Sequence, residues 1–465
     1  MDFRTHRVVD LASAVRARDV SARELTTAAL DRIEELDATL NAFVSVDRDR
    51  ALAEADEVDR RVRGEEGIGL LAGVPLAVKD LEDAAGYPTR YGSVLSSPEP
   101  VDGDSVLVAR LRAAGCVVVG KTATPEYGHK GQTDSPLSGV TRNPWNVDRS
   151  PGGSSGGSAA ALASGMVPLA TGSDGGGSIR IPSAICGLSG IKTTQGRVPN
   201  GGPNPPGSGL LSVKGPMARR VEDIVFALDA CVGPHPTDPF TLNRSGSPWY
   251  DVMANVRMPG AVAWSPDLGF ARVDTEIATI CQAAVNRLVD EGVEVVDASP
   301  IWDVDPVYPW YTMWASSRAR AQGDLMGTPE YEQIDESLRV IIEHGMGLTG
   351  VDYARAVDAV HDLNLQLDAA FEHAALLVTP ACAGQTPVID RDGTVDGVET
   401  PSWVGFTYGF NLTRNPAGVV NVGYTADGMP VALQVVGRQR DDLAVLQALA
   451  AFEQLFATDR MAGVG

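Results

Sequence analysis

Short apolar runs that alternate with helix-patterned stretches restrict the fold of this chain more than any other feature. LAGVPLAVKD (71–80), CVVVG (116–120), MVPLATG (166–172), GAVAW (260–264), ALLVTP (375–380) and VALQVVG (431–437) are rich in Val, Leu and Ala. Such runs are too short for stable helices and suit strands buried on both faces. Between them lie helical patterns. Ser21 and Glu24 form a capping box, and Leu25, Ala29, Ile33, Leu36 and Leu40 then recur on one helical face. Residues 50–64, 105–115, 158–165 and 441–456 also read as helices, the second of them ending at Gly115. The order predicts an α/β fold around a largely buried sheet. Residues 233–250, rich in turn formers, are either a linker or a surface loop.

With 465 residues, the chain could hold one large core or about three average domains. Its net charge of −22 disfavours nucleic acid as a partner, since phosphate neutralisation needs a basic face. Its five cysteines (Cys116, Cys186, Cys231, Cys281 and Cys382) show no paired spacing, and its six histidines form no HExxH pair. A disulfide framework and a zinc site are therefore not expected. No stretch reaches eighteen strongly apolar residues, and MDFRTHRVVD has no apolar signal core, so a reducing cytoplasm is the expected location.

Two motif matches mislead. GCVVVGKT (115–122) fits the phosphate-loop pattern literally, but Cys-Val-Val-Val favours an extended strand, and Pro125 argues against a helix starting at Thr122. GGSSG (152–156) fits the nucleophile elbow of α/β-hydrolases, but RNPWNVDRSP before it is no strand. That fold also needs a histidine late in the chain, but the last, His373, stands 92 residues from the end and is followed by Gly- and Pro-rich sequence.

Three other features carry chemistry. In TGSDGGGSIR (171–180), Gly175, Gly176 and Gly177 can approach a ligand closely and turn consecutive N–H groups toward an anion, with Ser178 at a helix start beside them. This reads either as an oxyanion-binding nucleophile loop or as a glycine turn with an N-cap serine. SPGGSSGGSAAA (150–161) places Ser154 only 24 residues earlier, where an intervening helix and strand can bring both loops together. Lys79 ends the apolar run VPLAV; buried there, its amine loses affinity for a proton and can act as a base, whereas at the surface it would pair with Asp80.

These three segments resemble the amidase signature family. The similarity extends over GKTATPEYGHKGQTDSPLSGVTRNPWN (120–146), CGLSGIKTTQGRVP (186–199), FNLTRNPAGVVNVG and GMPVALQVVGR (410–438). The resemblance implies one compact domain with a large mixed sheet flanked by helices. Its parts would be an N-terminal helical segment (1–65), a catalytic core (71–230), a variable pocket region (233–345) and a C-terminal core segment (375–465). It also implies a Ser-Ser-Lys triad: Ser178 as nucleophile, Ser154, accompanied by a cis peptide, as proton bridge, and Lys79 as base. Backbone N–H groups of Gly175, Gly176, Gly177 and Ser178 would form the oxyanion hole, with Asp174 and Arg180 bracing the loop. Gly175 departs from the Thr or Ile common after that aspartate. No metal or cofactor is implied.

The family includes amidases, aryl acylamidases, carbamate-cleaving enzymes and the catalytic subunit of the tRNA-dependent amidotransferase. An amidase acting with water on small or aryl amides is the expected activity. KDLEDAAG, where asparagine is more usual after Lys-Asp, favours a free-standing hydrolase over an amidotransferase component, and a homodimer is left open. IWDVDPVYPWYTMW (301–314) holds three of the seven tryptophans. Trp310 and Trp314 are candidate substrate-binding residues there, the alternative being a helix that packs aromatics into the core. Tyr127 is a further candidate pocket residue.

Overall fold

The computed structural model describes residues 1–203, 211–244, 246–457 and 460–464. Eleven strands build two mixed sheets: β1 (Phe43–Val46), β2 (Pro75–Lys79), β3 (Val117–Thr122), β4 (Leu169–Asp174), β5 (Gly190–Lys192), β6 (Val213–Ala218), β7 (Ala261–Trp264), β8 (Glu294–Asp297), β9 (Leu376–Pro380), β10 (Ala417–Tyr424) and β11 (Pro430–Gly437). The first sheet runs β1-β3-β2-β4-β6 and the second β8-β7-β9-β11-β10-β5. β5 and β6, edge strands of the two sheets, are in contact, so the sheets meet there. This is the expected mixed α/β architecture, with the sheet interrupted at that seam. Each apolar run singled out in the sequence lies on one of these strands. β2, β3, β4, β9 and β11 are buried along their entire length.

The strand reading of 115–122 holds. Lys121 is buried in β3 and donates to Thr89 Oγ1 at 2.8 Å, with Asp80 Oδ1 at 3.4 Å. Asp80 is thus the partner of Lys121 and not of Lys79. Helices cover both faces. Ala22–Leu40 begins with the Ser21–Glu24 capping box, and Asp442–Leu455 packs on β10 and β11. Residues 233–248, apart from residue 245, are a loop that leads into a short helix at Trp249 and is tied to the body. Leu242 N–H donates to Gly196 C=O at 2.9 Å, and Trp249 N–H to Asp229 Oδ1 at 2.8 Å.

Parallel pairing positions the site. β2 lies between β3 and β4 and runs parallel to both, with Leu76 opposite Leu169 and Ala77 opposite Ala170. Lys79 and Ser173 therefore emerge near neighbouring strand ends on the same side. The helix Gly156–Ala163 presses its start onto β3: a Cβ at Gly157 would come within 2.5 Å of the Ala123 backbone nitrogen. Only glycine permits that approach, which brings Ser154 and Ser155 over the strand ends.

Candidate active site

Lys79 sits at the end of β2 with no solvent exposure. Its Nζ lies 2.8 Å from Ser154 Oγ, 2.8 Å from Ser155 Oγ and 3.0 Å from Ser173 Oγ. Burial pulls its pKa from 10.5 to about 7, against the opposing pull of Glu82 and Asp174. This amine is therefore close to half neutral at neutral pH. Ser154 follows a cis peptide bond from Gly153. Ser155 N–H donates to Ser178 C=O at 3.2 Å, which joins the two serine loops side by side.

The glycine loop is held from several directions. Arg180 grips Asp174 through Nε to Oδ2 and Nη2 to Oδ1, both 2.9 Å, and neither side chain is exposed. Burial acts to raise the Asp174 pKa, but the Arg180 charge and its hydrogen bonds hold it well below the usual carboxylate range. That fixed carboxylate accepts from Gly177 N–H at 2.8 Å, and from the Ile179 and Arg180 N–H groups. Three successive carbonyls are pinned by side-chain donors. Asn411 Nδ2 donates to Asp174 C=O at 2.9 Å, Trp310 Nε1 to Gly175 C=O at 2.9 Å and Thr407 Oγ1 to Gly176 C=O at 2.6 Å. A trans peptide points its N–H opposite to its C=O. Fixing these carbonyls therefore also fixes the aim of the next N–H groups, those of Gly175, Gly176 and Gly177. Gly177 has φ +126°, and a Cβ there would lie 2.4 Å from Thr407 Oγ1, so this position requires glycine.

A cavity of about 370 Å³ opens beside this cage, and Ser173 and Tyr127 are among its lining residues. Ser178 is partly exposed, and among the described residues its hydroxyl takes no hydrogen bond.

The chain matches the amidase family over residues 24–446. It is a member of that family. It is 35% identical over 457 residues to an acylamidase of Rhodococcus erythropolis, with 96% of this chain and 94% of that protein covered. It is 33% identical to a glutamyl-tRNA(Gln) amidotransferase subunit of Cutibacterium acnes, covering 97% of this chain and 95% of that one. The solved structure of a bacterial aryl acylamidase of the amidase signature family superposes with a TM-score of 0.89 at 28% identity, over 97% of this chain and 96% of that chain. The protein is an amidase, an enzyme that hydrolyses amide bonds. Among its described residues, no helix is long and apolar enough to cross a membrane.

The amidase fold brings Lys79, Ser154 and the Gly175–Ser178 loop together, and it places Tyr127 on the cavity wall. One expectation changes. The Gly177 N–H faces Asp174 and is not free for a substrate oxygen, whereas Gly175, Gly176 and Ser178 N–H take no partner among the described residues. Trp310 and Trp314 are not among the residues lining that cavity, and neither is Ser178. The two tryptophans lie on the helix Val307–Gln322, stack at 5.6 Å and rest on the loop itself: a Cβ at Gly176 would meet Trp310 at 2.6 Å, and one at Gly175 would meet Trp314 at 3.0 Å. The sequence reading missed Ser155, Ser173, Thr407 and Asn411. Ser155 and Ser173 stood within the quoted glycine–serine motifs, but nothing local in the sequence aims Thr407 or Asn411 at the loop.

Proposed function

We propose that this amidase works through Ser178 as nucleophile, Ser154 as proton bridge and neutral Lys79 as base, on small or aryl carboxylic amides. The observation that carries the reading is the fully buried Lys79 amine, with its pKa near 7, enclosed by three serine hydroxyls. The hydrogen-bond count of a neutral amine suits the task. Its two N–H groups satisfy Ser155 Oγ and Ser173 Oγ, and its lone pair accepts from Ser154 O–H. Ser155 is oriented as an acceptor for Lys79, because its own O–H reaches Ser173 C=O at 3.3 Å. Ser154 Oγ is then free to accept from the Ser178 hydroxyl, which has no competing partner among the described residues.

In the acylation step, Ser178 Oγ attacks the amide carbonyl carbon as its proton passes to Ser154 and the Ser154 proton passes to Lys79. The carbonyl oxygen takes up the negative charge within reach of the Gly175, Gly176 and Ser178 N–H groups. Those groups are held in place before reaction, so little reorganisation is needed when charge develops. The proton then returns through Ser154 to the leaving nitrogen, the C–N bond breaks, and water cleaves the acyl-enzyme by the reverse relay.

The similarity to an acylamidase and to a solved aryl acylamidase supports aryl amides among the substrates. The comparable similarity to an amidotransferase component supports a second reading, in which ammonia is handed to a partner. Purified protein, tested alone on acetanilide, a short aliphatic amide and an aryl carbamate, separates these. Release of aniline without a partner is the expected result, and Ser178→Ala lowers kcat by a factor on the order of 10⁵. If Ser178→Ala retains near-native turnover, the nucleophile is misassigned. If intact protein turns over no amide until a partner is added, the free-standing reading fails.

A further inference from the structure

Arg318 lies on the helix Val307–Gln322, is 4% exposed, and forms no salt bridge among the described residues. It has two contacts. Nη1 donates to Tyr127 C=O at 3.1 Å, and its guanidinium carbon sits 5.0 Å from the Trp314 ring centroid. Its Nε is buried with no acceptor. Burial lowers its pKa to about 10, so the side chain stays charged at neutral pH. Gln322, one helical turn on, is 6% exposed, and its buried Oε1 has no donor among the described residues. An isolated charge and an unpaired amide oxygen at this depth together cost several kcal/mol.

Both side chains face the cavity that also contains Ser173, whose hydroxyl contacts the Lys79 amine. The acids on that wall do not serve Arg318. Glu82 pairs with Lys214 at 2.8 Å, Asp104 lies 3.4 Å from Arg112, and Asp83 has no ion pair with any described residue. Arg318 is close to the reacting groups by two routes. Tyr127 precedes Gly128, whose Cα faces Ser154: a Cβ there would meet Ser154 Oγ at 3.1 Å. Trp314, beneath the guanidinium, rests against Gly175 of the nucleophile loop.

We propose that Arg318 and Gln322 form a receptor for a carboxylate carried by the substrate itself. The enzyme's preferred substrates would then be amides with an anionic group a few bonds from the scissile carbonyl: half-amides of dicarboxylic acids, or amides of amino-carboxylic acids. The guanidinium presents Nε and Nη2 as a fork matched to two carboxylate oxygens, and a half-turn of the Gln322 amide about its terminal bond brings its NH₂ to one of them. A cavity of about 370 Å³ holds a substrate of that size. The proposal rests on the amidase reading of the adjoining site and refines its substrate class.

The test compares charged and neutral partners on each side of the bond, using the intact protein. Glutaric acid mono-4-nitroanilide is set against valeric 4-nitroanilide, and 4-acetamidobenzoate against 4-methylacetanilide. In at least one pair, the anionic member has a kcat/KM at least tenfold higher, mainly through KM, and the pair that shows this identifies the side bearing the carboxylate. Arg318→Gln removes that preference, lowering the anionic substrate at least thirtyfold and the neutral one less than threefold. Gln322→Leu weakens the same preference and serves if Arg318→Gln does not fold. A preference for the neutral member in both pairs overturns the proposal. So does an equal loss on both members in the variants, which is what a purely structural arginine would give. Quenching of tryptophan fluorescence by glutarate and by benzoate reads the receptor without turnover. Wild type binds at least one of the two acids at least tenfold more tightly than Arg318→Gln. If no anilide is cleaved yet this difference persists, the amidase reading fails and the receptor stands; equal binding of both acids by the two proteins sinks the receptor.

Discussion

A lysine amine 2.8 Å from two serine hydroxyls can take a proton only if burial has first removed its own. The same logic of early commitment governs the glycine loop. Its N–H groups are useful because the adjoining carbonyls are already occupied by Asn411, Trp310 and Thr407. Thr407→Val keeps the shape of the side chain and deletes the donor to Gly176 C=O. Loss of one such bond is worth about 1 kcal/mol, so we expect kcat to fall about fivefold to tenfold with KM little changed, and Thr407→Ser to restore it. A drop in thermal stability with unchanged kcat would show that the hydroxyl merely braces the fold. The residues of the proposed triad stood out because Ser154 and Ser178 sit in short glycine-bounded motifs and Lys79 ends an apolar run, where its charge is out of place. Thr407 and Asn411 were not legible. They reach the loop across more than 220 residues of sequence, and a threonine or asparagine in isolation looks like any turn or cap residue.

Among the elements, the helix Val307–Gln322 was the one its sequence left most open. Its tryptophans fitted either an aromatic substrate wall or a helix packing aromatics into the core. In the structure they support the glycine loop, and the same helix places Arg318 and Gln322 on the cavity wall. Composition alone could not separate these roles, because an aromatic ring against a ligand and one against a glycine backbone require the same residue. Trp310→Phe retains a ring and removes the donor to Gly175 C=O. We expect kcat to fall about tenfold on aryl and short aliphatic amides alike, measured as the ratio of kcat/KM between them. A change in that ratio greater than threefold would mean Trp310 touches substrate. The strands were easier to read. Each buried run in β2, β3, β4, β9 and β11 announced itself by apolar continuity, whereas β8, only two half-buried valines between exposed acidic ends, carried no such signal.

Across the fold, function is set against stability. Lys79 has a pKa of about 7 when folded and about 10.5 when exposed. Between those values the unfolded chain binds more protons, so stability rises with pH there. The amine thus opposes folding below pH 7, by about 5 kcal/mol, and ceases to do so above 10.5. Two mixed sheets with fully buried central strands are needed to hold a group that disfavours its own burial. The general α/β order could be read from the alternation of runs and helices. The seam between β5 and β6 could not, because which edge strands meet is decided by long-range packing and not by local pattern. The pH dependence of kcat/KM on a neutral anilide tests whether Lys79 acts as the uncharged base. The account predicts a rising limb with a midpoint near pH 7, falling tenfold per pH unit below it. That limb should persist in Lys192→Met, which removes the other buried lysine whose pKa is near 7. A limb near pH 10, a flat profile from pH 6 to 9, or a limb that vanishes with Lys192 would contradict it.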